Sequence, residues 1–372
     1  MRNLTSRIGN NKNQSKGLRD ALLLMILIVG TSFVSDAYIS NNKLCIAVIT
    51  SLVLSASLTA CALPRLRALK LNQIIRKEGP KAHHLKAGTP TMGGFLIVLI
   101  GLIIGNLYTI DNAQYQKIAA LSFLTLCFMC IGSLDDWQSL TLKRNTGLSP
   151  KGKIILQSIS GVIFLLWTSS QEWINSKIYL FSELSIDIGI IIWPLALFVL
   201  LAESNSTNLT DGLDGLASGC GSLVFTGLAI QLILRGNEGD VGIAIFCMAM
   251  AGAWLGFLLH NRKPAKIFMG DTGSLAMGAA LSGVGLLSNS LWPLLIMGGV
   301  FFLESISVII QVWVYKITKK FFDEGKRIFL MAPIHHHYEL AGNDEQAIVR
   351  SFWLVTLSLV VLGLLVRPTP TL

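Results

Sequence analysis

A chain of 372 residues with 52% hydrophobic and only 14% charged residues is not a water-soluble protein, since soluble domains carry about 25% charge. Its net charge of +9 would suit nucleic acid, but the basic residues alternate with apolar runs instead of forming one patch, which sets that class aside. The six cysteines, Cys45, Cys61, Cys127, Cys130, Cys220 and Cys247, all lie inside those runs, and Cys127-x-x-Cys130 reads as small hydrophobes at helical spacing, not as a redox or zinc site.

Apolar runs of about 17 to 25 residues, each long enough to cross a bilayer as a helix, recur along the chain. They lie at 20–37, 44–64, 93–110, 117–134, 153–169, 186–202, 214–234, 241–259, 274–289, 291–315 and 351–366. They predict an all-α, polytopic transmembrane helical bundle of eleven spans. Residues 1–43 read as a basic N-terminus with an anchor helix, and 44–372 as one transmembrane domain. The first run follows Arg2, Arg7, Lys12, Lys16 and Arg19 like a signal peptide, but it lacks a small-residue cleavage site and further spans follow it.

Lysines and arginines concentrate in the N-terminus, 65–92, 135–153, 260–273 and 316–350, whereas 111–116, 170–185 and 235–240 are short or acidic. Positive loops stay cytoplasmic, so the N-terminus is expected inside and the C-terminus outside. Such a basic face attracts anionic headgroups and nucleotides.

The conspicuous polar clusters all fall on that face. They are KEGPKAHHLKAGTPTMGG at Lys77–Gly94, SLDD at Ser133–Asp136, NSTNLTDGLDG at Asn205–Gly215, NRKPAKIFMGDTGS at Asn261–Ser274 and GKRIFLMAPIHHHYE at Gly325–Glu339. Together they predict one composite site at the membrane surface. A secondary transporter would instead gather ionisable groups near the bilayer midplane.

Asp135 and Asp136 are expected to end the fourth span, where the helix dipole disfavours acids, so Mg²⁺ or nearby lysines should compensate them. Neighbouring helical positions point about 100° apart, so the two acids should serve different partners. Asp211 and Asp214 open the seventh span as caps or, with Asn208, as contacts to phosphate or uracil. Asp271 opens the ninth span either as an N-cap or as a hard oxygen ligand for Mg²⁺. His335, His336 and His337 cannot all bind one metal from a regular helix, and phosphate contacts are the preferred reading. Lys86, Thr91 and Lys153 flank spans, where a basic residue also sets topology. Glu304, deep in the tenth span, either lines a lipid-phosphate groove with Gln311 or pairs with another helix. Asn-x-Ser/Thr triplets at Asn3, Asn13, Asn205 and Asn208 lie on the expected cytoplasmic side and are discounted as glycosylation sites.

At these motifs the chain resembles the phospho-N-acetylmuramoyl-pentapeptide transferases of the polyprenyl-phosphate N-acetylhexosamine-1-phosphate transferase superfamily. The matching segments are KAGTPTMGG, LDD, NLTDGLDGLA, FMGDTGSLA, GGVFFLESISVIIQV and GKRIFLMAPIHHHYEL, within about residues 44–366. The resemblance implies a ten-helix core in the bacterial cytoplasmic (inner) membrane with its active site on the cytoplasmic face. It further implies a Mg²⁺-dependent reaction between UDP-N-acetylmuramoyl-pentapeptide and undecaprenyl phosphate that gives lipid I and UMP, the first membrane step of peptidoglycan synthesis. A second copy of the chain is a candidate partner.

By the same resemblance Asp271 is the magnesium ligand, with Asp136 a candidate second one, and Asp135 and Asp136 form the catalytic acid pair. Asn208, Asp211 and Asp214 fall on the nucleotide side with Asn261 and Phe268, while Lys86, Thr91, Lys153, Gln311, His335 and His336 match further site positions. Two departures stand out. The first span precedes the ten-helix pattern, and Gln138 and Ser139 stand where relatives often carry lysine. An N-acetylglucosamine-1-phosphate transferase is the near alternative, which MAPIHHHYEL disfavours, and a secondary transporter the distant one.

Overall fold

Among the described residues, nine helices are long and apolar enough to cross a membrane, which makes this a multi-pass membrane protein. The computed structural model describes residues 2–38, 43–68, 88–142, 147–180 and 184–366. Helices dominate because lipid offers no partner for a free backbone N–H or C=O, so each crossing segment must bond within itself. In order they are α1 (Arg2–Tyr38), α2 (Leu44–Ala68), α3 (Gly94–Thr109), α4 (Tyr115–Leu142), α5 (Pro150–Ser170), α6 (Ile192–Thr210), α7 (Leu216–Arg235), α8 (Val241–Asn261), α9 (Gly270–Leu287), α10 (Leu291–Met297), α11 (Gly299–Phe322), α12 (Ile334–Leu340) and α13 (Glu345–Leu365).

Each expected span falls largely on a helix, although the sixth, expected from 186, begins on a strand and becomes helix α6 only at Ile192; three further differences stand out. The tenth run is divided at Gly298 into α10 and α11. The fourth does not stop at its acids: α4 continues to Leu142, so Asp135 and Asp136 lie within the helix and face side partners instead of an unfavourable dipole end. A two-stranded antiparallel hairpin, β1 (Lys177–Tyr179) with β2 (Ser185–Asp187), and the short α12 were not expected, because segments this short carry no periodic signal.

The bundle is layered by burial. In α9 every residue from Thr272 to Leu287 is buried, and α7 and α8 are buried along most of their length. The outer helices expose Ile26, Ile103, Leu166, Phe198 and Trp313, as side chains facing lipid do. Close approach relies on small residues: a Cβ on Gly252 or Gly256 of α8 would strike the Val48 or Leu52 carbonyl of α2. Beside them Ser55 Oγ donates to Ala253 O at 2.6 Å.

Both ends of the bundle are tied by polar contacts. At one end Arg235 donates to Ser288 O at 2.6 Å and to Ser290 Oγ at 2.7 Å, with Asp240 at 3.4 Å. The opposite end gathers the starts of α3, α5, α7, α9 and α13 and the ends of α4, α6 and α8. There the sequence clusters meet.

Candidate active site

The start of α9 is the hub of that end. Residues 90–94 run beside it: Phe268 N donates to Pro90 O at 2.8 Å, Gly93 N to Phe268 O at 2.9 Å and Gly94 N to Met269 O at 2.9 Å. Two glycines let the backbones close up. A Cβ on Gly94 would overlap Gly273, and one on Gly132 of α4 would overlap the Asp271 carbonyl. Gly270 has φ +74°, a left-handed value that side chains disfavour, and a Cβ there would fall on Asp136.

Asp136 uses both oxygens on this helix start. It accepts from Asp271 N at 3.1 Å, from Thr272 N at 3.0 Å and from Thr272 Oγ1 at 2.6 Å. The first amides of a helix have no partner within it and carry its positive dipole end, so a carboxylate suits this place. Thr91 is buried beside the same spot. Asp136 is therefore a seat for Asp271. A carboxylate oxygen that accepts a hydrogen bond keeps a further lone pair, so this seat does not remove Asp136 as the expected second oxygen ligand.

Asp135, one residue earlier, points elsewhere, as the helical angle requires. Its Oδ1 accepts from Leu148 N at 3.0 Å and lies 3.1 Å from Lys153 Nζ. That ammonium also sits 2.5 Å from Asp271 Oδ2. The other Asp271 oxygen accepts from Asn208 Nδ2 at 2.8 Å, and the same amide reaches Ser274 Oγ at 2.9 Å. The result is a line, Asp135–Lys153–Asp271–Asn208, drawn from α4, α5, α9 and α6. Ser149 positions Lys153: its side chain accepts from Gly152 N and Pro150 follows it, a strong start for α5.

The residues fit a divalent cation of the magnesium type. Asp135 and Asp271 both face the Lys153 ammonium, and Asp271 is the more open of the two, with a side chain 24% exposed against 12%. Among the described residues no group of three or more histidine, cysteine or acidic side chains forms a metal cage. Mg²⁺ does not need one, since it binds through one or two carboxylates and keeps water or phosphate oxygens on its other positions.

Other expected site residues brace the rim. Asp214 accepts from Ala265 N at 2.9 Å, and its own N–H donates to Glu345 Oε1 at 3.0 Å. Asn261 accepts from Gly215 N at 3.0 Å and Ser218 Oγ at 3.1 Å and donates to Ile267 O at 3.0 Å. Both side chains are buried and hold the 262–268 loop that carries Phe268. Phe268 remains partly exposed, and Asp211 ends α6 half-buried. Gln311 pins the loop before α12, accepting from Ile328 N and Phe329 N and donating to Phe329 O at 2.9 Å. Lys86 lies outside the described residues.

The histidines face three different partners. His335 is fully buried, with Nδ1 3.0 Å from Glu304 Oε2. His336 Nδ1 lies 3.1 Å from Glu339 Oε2, and His337 Nδ1 accepts from Leu330 N at 3.2 Å. Of the two readings of Glu304, the pairing with another helix is the one observed. Thr272, Ser274 and Glu345 were missed in the sequence; the first two adjoin Asp271 in D-T-G-S, while Glu345 gave no signal.

Residues 118–289 match the family model described as glycosyl transferase family 4. The chain is 60% identical over 355 residues to a phospho-N-acetylmuramoyl-pentapeptide-transferase of Prochlorococcus marinus (strain MIT 9313), covering 95% of each chain. It is 60% identical to that of Synechococcus sp. (strain CC9605) over 94% of this chain and 99% of the relative. The Microcystis aeruginosa enzyme is 48% identical over 92% and 94% respectively. Such identity over nearly full length decides the matter. The chain belongs to the phospho-N-acetylmuramoyl-pentapeptide transferase family.

The stretch that matches the family model begins in α4 and ends just after α9, so it contains the whole Asp135–Lys153–Asp271–Asn208 line of this transferase. The histidine segment and Gln311 lie beyond it, within the full-length relatives' match. The first helix is not peculiar to this transferase: the match to a relative from a second strain of Prochlorococcus marinus covers 97% of the chain, too much for α1 to be left out.

Proposed function

We propose that this transferase moves phospho-N-acetylmuramoyl-pentapeptide from its UDP-linked donor to undecaprenyl phosphate, giving lipid I and UMP, with Mg²⁺ at Asp271. The observation that carries the reading is the line of Asp135, Lys153, Asp271 and Asn208 at one end of a lipid-embedded bundle. The names of the full-length relatives support the donor, and the lysine- and arginine-rich loops at that end support a cytoplasmic face of the bacterial inner membrane.

In the reaction, an oxygen of the lipid phosphate attacks the β-phosphorus of the donor. The bond from that phosphorus to the bridging oxygen breaks, and UMP leaves with the electron pair. Asp271, faced by Asp135, would hold the cation, which supplies charge neutralisation on the pyrophosphate. Asn208 orients Asp271 by donating to one of its oxygens. Lys153 offsets the two carboxylates and presents positive charge to phosphate oxygens. Asp136 keeps Asp271 in register with the start of α9. A lipid phosphate is largely dianionic at pH 7, its second pKa being about 6, so Asp135 serves more to place the acceptor than to deprotonate it. Attack is direct in this scheme; the rival is a covalent aspartyl intermediate, which would retain configuration at phosphorus.

Purified protein in detergent should release UMP from UDP-N-acetylmuramoyl-pentapeptide only with undecaprenyl phosphate and Mg²⁺ present. Equal turnover of UDP-N-acetylglucosamine, or ion-driven solute uptake without UMP release, would overturn the reading.

A further inference from the structure

His335 is the fully buried member of the histidine run, and its surroundings assign it a structural task. Its side chain and that of Glu304 are both 0% exposed, with Nδ1 3.0 Å from Oε2. The opposite ring nitrogen lies against Gly212, where any Cβ would collide with it. Neither His335 Nε2 nor Glu304 Oε1 has a hydrogen-bond partner among the described residues. Three elements distant in sequence, α11, α12 and the turn between α6 and α7, thus meet at one imidazole.

Burying such a pair is a poor route to stability, because desolvation offsets much of the attraction and apolar side chains of similar volume hold helices as well. What the hydrogen bond adds is direction. A carboxylate on Nδ1 fixes the tautomer and the plane of the ring. That plane is what Gly212 rests on. Gly212 N bonds Thr210 O at 2.9 Å and Asp211 N bonds Asn208 O at 3.2 Å, so the turn continues into the last residues of α6. Asn208 there holds Asp271. The next residue of α11 is fastened to the same helix, Ser305 Oγ donating to Ser206 Oγ at 2.7 Å.

We propose that Glu304 is a positioning residue: through His335 and Gly212 it fixes the end of α6, and with it the Asn208–Asp271 contact. The inference rests on the transferase reading above.

The test compares Glu304→Ala, Glu304→Gln and Gly212→Ala with the parent protein, reading kcat and KM for the donor per folded molecule, together with backbone amide exchange. Glutamine can still accept from Nδ1–H, so Glu304→Gln should stay within about threefold of the parent in kcat. Glu304→Ala should lose at least about tenfold in kcat with KM within about twofold, and residues 208–215 should exchange faster. Gly212→Ala should reproduce the loss from the other side of the ring, and the double variant should be no worse than the poorer single one, the mark of a shared path. Equal damage from alanine and glutamine, or a loss confined to folded yield with kcat of the folded fraction intact, would overturn the proposal. Should the parent release no UMP, the transferase reading fails instead. The exchange data then still decide: faster exchange at 208–215 in Glu304→Ala upholds the positioning role, and change limited to α11 and α12 rejects it.

Discussion

Lys153 Nζ lies 2.5 Å from Asp271 Oδ2 and 3.1 Å from Asp135 Oδ1, so one ammonium from α5 offsets two carboxylates from α9 and α4. Unit charges about 4 Å apart interact by about 4 kcal/mol at an effective dielectric of 20, enough to decide whether the two acids can stay adjacent. Lys153→Met should lower kcat by about 10²-fold. Lys153→Arg should not restore it fully, since a planar fork cannot take the place of a compact ammonium between two acids. Initial rates of UMP release check this, and a methionine variant within threefold of the parent would exclude a role for the charge.

Asp136 seats the start of α9, and Thr272 supplies the shortest of its three hydrogen bonds. Thr272→Val should destabilise the protein by about 1.5–3 kcal/mol, the range for a hydrogen bond to a charged group. Thermal unfolding in detergent should show a lower midpoint; an unchanged one would mean the two backbone donors suffice.

The meeting of α4 and α9 at Gly132 leaves no space for a side chain. Gly132→Ala should force the Asp271 backbone away and cut activity at least about tenfold, with overpacking costing about 1–3 kcal/mol. Gly30→Ala in α1 is the control, because nothing lies within 4 Å of a Cβ there. Equal activity in the two variants would argue against a backbone contact at Gly132.

Asp344 caps α13 by accepting from Gln346 N and lies 3.1 Å from Lys263 Nζ. Partial burial pushes its carboxyl up, but Lys263 and the backbone amides more than offset this and hold it below its ordinary value. A lowered pKa stabilises above the unfolded value of about 4 and is lost as pH falls through the folded one. The first turn of α13 should therefore exchange its amides faster in acid. The side chain is 61% exposed, so the effect is small and weakens with salt. Exchange that is independent of pH after correction for intrinsic rates would contradict it.

Much of the fold is legible in the sequence because the signal is local: a run of Leu, Ile and Val long enough for a bilayer needs no partner to be recognised. That reading places Asp135, Lys153, Asn208 and Asp271 at one end of the bundle, and the family motifs single them out. What each acid touches is not legible. Asp136 bonds to residues 135 and 136 positions away, and Glu304 to one 31 positions away. Nothing near them in the chain announces such partners. Asp214 and Asn261 show the same limit: a buried polar residue in a conspicuous motif looks alike whether it meets a ligand or holds a loop. The break at Gly298 and the β1–β2 hairpin escape notice because they interrupt or fall outside the apolar periodicity.

The most direct test of the account is UMP release by purified Asp271→Asn beside the parent protein, with UDP-N-acetylmuramoyl-pentapeptide and undecaprenyl phosphate, in Mg²⁺ and after its removal by chelation. The parent should need both the lipid and Mg²⁺, and the variant should lose at least about 10³-fold while melting at nearly the same temperature. A variant within tenfold of the parent, or a parent indifferent to chelation, would show that the reaction centre is not at the start of α9.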